Sequence, residues 1–136
     1  MDARHSAKLQ VCDVLEAIAD SLPQRIDRHA CLWAAASLLP VLRDAQAFEE
    51  REFFPAFGAD NRQAATLRRL RAEHVEDVAL AEELTETLLR LGHGGQEANP
   101  EALGYMLRAF FESVRRHVAF EREHVVPIVR RGSFRG

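Results

Sequence analysis

The sequence predicts an all-α protein, an antiparallel four-helix bundle that runs up-down-up-down. Three observations predict it. Ala, Leu, Arg and Glu dominate the chain while β-branched runs are nearly absent, a composition that favours helix throughout. Apolar residues recur at three- and four-residue steps in four long stretches, the pattern of a helix with one buried face. Short stretches containing proline or glycine separate the four, which leaves room only for tight links between antiparallel neighbours. With 136 residues and 47% hydrophobic content, the chain is expected to form one domain over 1–131, followed by a short tail over 132–136.

Helix A is expected from about Ser6 to Leu22, where Pro23 stops it, with Leu9, Cys12, Leu15, Ala19 and Leu22 as its stripe. Helix B opens at Asp27, a plausible cap, and runs to about Phe54, where Pro55 and FGAD end it; its stripe includes Leu32, Leu39, Leu42 and Phe53. Pro40 falls inside that pattern, and a proline in a helix interior costs about 3 kcal/mol, so a kink or two shorter helices are expected there. Helix C covers about Asn61 to Leu91 and carries Leu67, Leu70, Val78, Ala81, Leu84 and Leu88 before Gly92 and the HGG run, whose glycines can take positive φ. Helix D begins at Asn99-Pro100, a cap followed by a first-turn proline, and lasts to about Val129 with Leu103, Leu107, Phe110, Val114 and Ile128 inward.

Composition also sets bounds on function. A formal charge of −3 with arginines dispersed along the chain leaves no basic face to neutralise phosphates, so nucleic acid is not an expected partner. No stretch approaches the roughly 20 apolar residues a membrane span needs, and the N-terminus lacks a long apolar segment, so a cytoplasmic protein without a membrane partner is expected. Cys12 and Cys31 stand in neither metal-finger nor redox spacing and read as buried free thiols. There is no organised nucleophile, phosphate-binding loop or paired acid and base, so catalysis is not the expected role.

The informative residues are polar ones on the faces that should be buried. His5 precedes Leu9 by one turn, Gln46 and Glu49 lie between Leu42 and Phe53, His74 lies between Leu70 and Val78, and His117, Glu121 and His124 follow Val114. A buried carboxylate loses several kcal/mol of hydration unless a cation, donors or a proton compensate it. A di- or trivalent ion compensates several at once, and imidazole with carboxylate suits iron, manganese or zinc. His117 and Glu121, four apart, lie roughly 40° apart around the helix axis and can address one site. Other readings exist for each residue. His5 could sit at a frayed end, His74 could be a satisfied core histidine, and Glu49 could pair with Arg43 or Arg51. Glu50, Arg51 and Glu52 read mainly as outer surface, His124 as a residue behind the ligands near the bundle mouth, and His93 as exposed loop. The segments AFEEREFFP (47–55) and AFEREHVVP (119–127) repeat one pattern in the two halves of the chain, and that repetition favours a shared site.

Taken together, His5, the EExxFFP-like end of helix B, AEH in helix C and HVAFEREHVVP in helix D resemble the hemerythrin-like (HHE cation-binding) family over nearly the whole chain. The resemblance implies a bundle holding a non-haem di-iron centre, with His5, Glu49, His74, His117 and Glu121 as metal ligands. It implies a role in oxygen, redox or iron sensing, or in iron handling, with O2 or another small ligand and, for signalling, a partner protein; self-association is a separate expectation, from Phe111 and Phe120 read as helix-exterior residues. Two positions depart from the family pattern. Ala45 stands where an imidazole is expected four residues before Glu49, and Val78 where oxygen carriers have a second histidine in helix C. Gln46 or Glu50 could fill the vacancy; alternatively a mononuclear site of His5, His74, His117 and Glu121 survives, or the bundle is metal-free and acts through protein partners.

Overall fold

The computed structural model describes residues 2–59 and 61–133. Its first helix, α1 (Asp2–Ser21), begins four residues earlier than expected, which places His5 inside a helical turn instead of at a frayed end. α2 (Arg28–Phe48) opens on Asp27, whose side chain accepts a hydrogen bond from the Ala30 N–H at 3.0 Å. The expected break at Pro40 is absent, and α2 is one continuous helix. Pro40 and Ala36, whose carbonyl loses its helical donor, both lie on the exposed face, where water can serve that carbonyl.

The larger departure comes after Phe48. Instead of stopping at Phe54, the helix widens into a π-helical turn over Glu49–Phe53 and continues as α3 (Phe54–Gly58), with Pro55 in its first turn. A short 3-10 turn (Asn61–Gln63) leads to α4 (Ala64–Gly92), the longest helix. Its end is closed by Gly94 at φ 92 and by a Gly95 N–H that donates to the Arg90 carbonyl at 2.8 Å, the wrap-back that glycine permits. α5 (Pro100–Phe120) starts on Asn99, whose side chain accepts from the Ala102 N–H at 3.0 Å. A second π-helical turn, Glu121–Val125, follows, and then α6 (Val126–Ser133). The rest of the expected tail, residues 134–136, lies outside the described residues.

Cross-helix pairs fix the directions. Arg4 near the start of α1 meets Asp44 near the end of α2, Arg28 at the start of α2 donates to the Gly92 carbonyl at the end of α4, and Arg108 and Arg115 of α5 reach Asp20 and Asp13 of α1 in reverse order. Neighbours are therefore antiparallel, and α1, α2, α4 and α5 close a four-membered ring, with α2 against α4 the most extensive contact and α4 against α5 the sparsest. These pairs are mostly exposed and align the helices more than they stabilise them.

Two apolar clusters fill the bundle. The larger includes Leu15, Leu38, Leu84, Leu88, Leu107, Phe110 and Phe111; Phe111, expected on a helix exterior, is buried. The smaller gathers Phe53, Phe54, Phe57, Leu70, Val125 and Val126 at the end where the π turns lie. Between them runs a layer of buried polar side chains: His5, Lys8, Gln46, Glu49, His74, His117 and Glu121.

The larger cluster should dominate stability. Leu84→Ala, at a fully buried site, is expected to cost about 2–5 kcal/mol in urea unfolding, while Val75→Ala, 72% exposed on the same helix, should stay within about 0.5 kcal/mol.

Candidate metal centre

The repeated AFE segments locate the site because each ends in proline. An α-helical proline clashes with the carbonyl four residues back and has no N–H to give it. Here the preceding turn widens in both copies: the Phe54 N–H donates to the Glu49 carbonyl and the Val126 N–H to the Glu121 carbonyl, each five residues back, with Pro55 and Pro127 next in line. Glu49 and Glu121 therefore occupy the same position, the first residue of a π turn, on two helices that face the bundle interior. Such turns frequently accompany functional sites.

Glu49 and Glu121 are both wholly buried. His74 Nε2 lies 2.8 Å from Glu49 Oε2, and His117 Nε2 lies 3.0 Å from Glu121 Oε1 and 3.7 Å from Glu49 Oε2. His5 Nε2 approaches Glu121 Oε1 at 3.7 Å. Two triads result, Glu49–His74–His117 and His5–Glu49–Glu121, joined through Glu49, and within each the candidate ligand atoms all lie within 4.8 Å of one another. Ligands on one ion at about 2.0–2.2 Å can stand at most about 4.4 Å apart, so each triad needs only a small contraction to close on a metal. Both ring nitrogens of His5, Nε2 of His117 and both oxygens of Glu121 are buried without a hydrogen bond, because even the close His117–Glu121 approach is misaligned for one. Buried polar atoms are normally satisfied, and orphans converging from α1 and from the α5 helix with its π turn are what an ion would satisfy. The donor set fits a metal.

All five ligands expected from sequence thus converge, and the alternative readings of three of them fall away. His5 is buried and not frayed. Glu49 meets neither arginine, since Arg43 pairs with Glu82 and Arg51 with Glu52 on the surface. His74 is not self-sufficient in an apolar core: it stacks on Phe54 and lies against His117 with Nε2 on Glu49. The auxiliary residues fare differently. Gln46 does not fill the place of the missing imidazole; its amide donates to the His74 carbonyl at 3.1 Å and clips α2 to α4. Glu50, 54% exposed, reaches back to His74 Nδ1 at 3.3 Å and stands behind that ring. His124 is a correction. It is 58% exposed, lies 3.7 Å from Glu123 and packs on Phe120, outside the cluster. An i→i+5 turn advances less around the axis per residue than an α-turn, so three residues past Glu121 the side chain has not come back to the inner face. His93 is exposed, as expected.

Three residues were missed. Glu73 holds His117 Nδ1 at 3.2 Å as Glu50 holds His74, so both imidazoles can give Nδ1–H to a carboxylate and turn Nε2 inward, the usual arrangement behind metal-bound histidine. The AEH triplet contained this signal: its glutamate precedes a ligand candidate but faces the neighbouring helix. Asp77, one turn beyond His74, is partly buried, and burial raises its carboxyl pKa against the opposing charges of His117, His74 and Lys8. Lys8 is the third. It is 4% exposed, and its Nζ donates to Glu49 Oε1 at 3.1 Å and lies 4.0 Å from Glu121 Oε1. The spacing from His5 through Lys8 to Cys12 could have revealed it, since all three follow the buried stripe of α1.

A cleft of about 380 Å³ opens between α4 and α5, the sparsest seam, and reaches His117 past Arg69, Glu73, Arg116 and Phe120. It gives a small molecule a route to the polar layer.

Such a bundle with paired carboxylates and imidazoles across its core defines a cation-binding helical domain. The chain matches the family model of the hemerythrin HHE cation-binding domain over residues 1–129 and belongs to that family. No curated protein and no solved structure matches it.

Electrostatics give the metal-free site a pH window. Burial alone would lower the His117 pKa, but the adjacent Glu121 and Glu49 carboxylates more than offset it and raise it from 6.5 to about 10. Burial would raise Glu49, but His117, His74 and Lys8 hold it well below the usual carboxylate range. The raised histidine contributes stability that is full below about pH 6.5 and lost as pH climbs through about 10; the depressed carboxylate contributes stability present above about pH 4.5 and lost on acidification. Melting temperature of the metal-free chain should therefore form a plateau between about pH 4.5 and 6.5 and fall on both sides, and His117→Gln should remove the alkaline fall.

Proposed function

We propose that this chain is a non-haem iron-binding domain of the cytoplasm that acts in oxygen, redox or iron sensing, or in iron handling. The observation that carries the reading is the set of orphaned nitrogens and oxygens of His5, His117 and Glu121 in a buried layer shared with Glu49 and His74. Iron suits this mixture of imidazole and carboxylate, and manganese and zinc share the preference. In this reading His5, Glu49, His74, His117 and Glu121 hold metal, Glu50 and Glu73 fix the two imidazole tautomers, and Phe54, Leu70, Val114 and Val118 keep bulk water out. Bound iron supplies a redox couple and an open coordination position. The α4–α5 cleft admits O2 or a comparably small ligand, and a second copy or a signalling protein receives the resulting change.

Elemental analysis of full-length protein reconstituted with iron(II) under anaerobic conditions tests this. At least about one metal per chain is expected, and less than about a tenth sinks it. Because His117 must lose its proton to bind, apparent affinity should rise with pH between 7 and 9, by up to about tenfold per unit for each proton released.

The second reading is a metal-free bundle that works as an interaction or regulatory module, and one observation favours it: Lys8 already gives Glu49 a counter-charge. Glu121→Ala separates the two. If metal is resident, wild type should melt higher once loaded and the change should abolish both the binding and that rise; if not, wild type should show no rise on loading, and the variant should only lose the contribution of the His117–Glu121 pair.

A further inference from the structure

The two oxygens of Glu49 face different neighbours. Oε2 is turned to the imidazoles, 2.8 Å from His74 Nε2 and 3.7 Å from His117 Nε2. Oε1 accepts a hydrogen bond from Lys8 at 3.1 Å, and the same ammonium lies 4.0 Å from Glu121 Oε1. The carboxylate that joins the two candidate triads is thus engaged on one side by a cation the chain supplies itself. Lys8 reaches this place from α1, one turn after His5, along a path lined by Val11, Leu38, Leu42 and Val114. Its side chain is almost entirely buried, so the charge has no other outlet than these carboxylates.

The position of the ammonium coincides with the half of the site that lacks an imidazole. Ala45, one turn before Glu49 on the same helix, is buried and offers no donor. A divalent ion placed among His5, Glu49 and Glu121 would lie within a few ångströms of the Lys8 ammonium, which already holds Glu49 Oε1 and stands 4.0 Å from Glu121 Oε1, a strongly repulsive arrangement of like charges in a dry core. Nothing comparable stands on the other side, where Glu49 Oε2, His74 and His117 converge with Glu121 Oε1 beside them.

We propose that Lys8 is the built-in second cation of this bundle, so that the chain binds a single metal ion, on Glu49, His74 and His117 with Glu121 alongside, while the ammonium holds the position a second ion would take. The proposal rests on the metal-binding reading above and refines it. His5, 3.7 Å from Glu121 Oε1, then lies on the lysine's side of the layer and does not ligate the ion. Glu49 bridges a metal and an ammonium instead of two metals.

The test compares metal content and melting temperature of full-length wild type, His5→Ala, His74→Ala and the double variant Lys8→Ala/Ala45→His. Each is loaded with iron(II) anaerobically, and with manganese(II) and zinc in parallel, then desalted, with far-UV circular dichroism as the check on folding. Wild type and His5→Ala should each retain about one ion per chain, His74→Ala less than about a tenth, and the double variant about two. Loading should raise the melting temperature of wild type and His5→Ala and leave that of His74→Ala unchanged. Two ions per wild-type chain would overturn the proposal and leave the metal-binding reading intact; no ion in the wild type would overturn both. One ion that is lost in His5→Ala but kept in His74→Ala, or a folded double variant that still holds one, also overturns it. If the double variant does not fold, the His5–His74 comparison decides alone.

Discussion

Every feature of this bundle that is not ordinary helix packing follows from the burial of two carboxylates, Glu49 and Glu121, in one apolar interior. Neither touches water, and at short range two such charges repel each other and the low-dielectric walls around them. The remaining polar layer is arranged as compensation: imidazoles from α4 and α5, an ammonium from α1, and Glu50 and Glu73 reaching in from the surface to hold the backs of the two imidazoles. Because the compensating groups come from different helices, the carboxylates also fix which helices must be neighbours and at what height. The layer separates the two hydrophobic clusters and sets the register between them.

The same demand accounts for the backbone. In a regular α-helix, the residues flanking Glu49 and Glu121 would place either the carboxylate or the apolar residues beyond it on the inner face, but a single periodicity serves both poorly. A wide turn started by the downstream proline delays the helical phase by about one residue. Glu49 and the following Phe53, Phe54 and Phe57 can then all face inward, as can Glu121 with Val125 and Val126.

Much of this was legible in the sequence. The stripes gave four helices because an apolar face leaves a periodic trace, and Asp27 and Asn99 were recognisable caps because their chemistry is local. The five buried donors were legible for the same reason: they interrupt the stripes. What escaped depended on geometry that has no periodic trace. Pro55 reads as a terminator and Pro127 as an ordinary residue near the end of helix D, yet each is accommodated by widening the turn before it, which removes His124 from the inner face. Glu73 and Glu50 look like surface carboxylates until their partners are placed across a helix interface. Lys8 was hidden by expectation: lysine is so seldom fully buried that a pattern search for the inner face steps past it.

The Lys8–Glu49 pair has a consequence for the life of the protein. A metal exchanges with its surroundings, whereas an ammonium is tethered by covalent bonds and is present from the moment the chain leaves the ribosome. With part of the charge compensation carried by the polypeptide, assembly of the core need not wait for an ion, and the empty bundle can persist as a folded species. On the metal-binding reading proposed above, occupancy becomes a variable separate from survival of the fold.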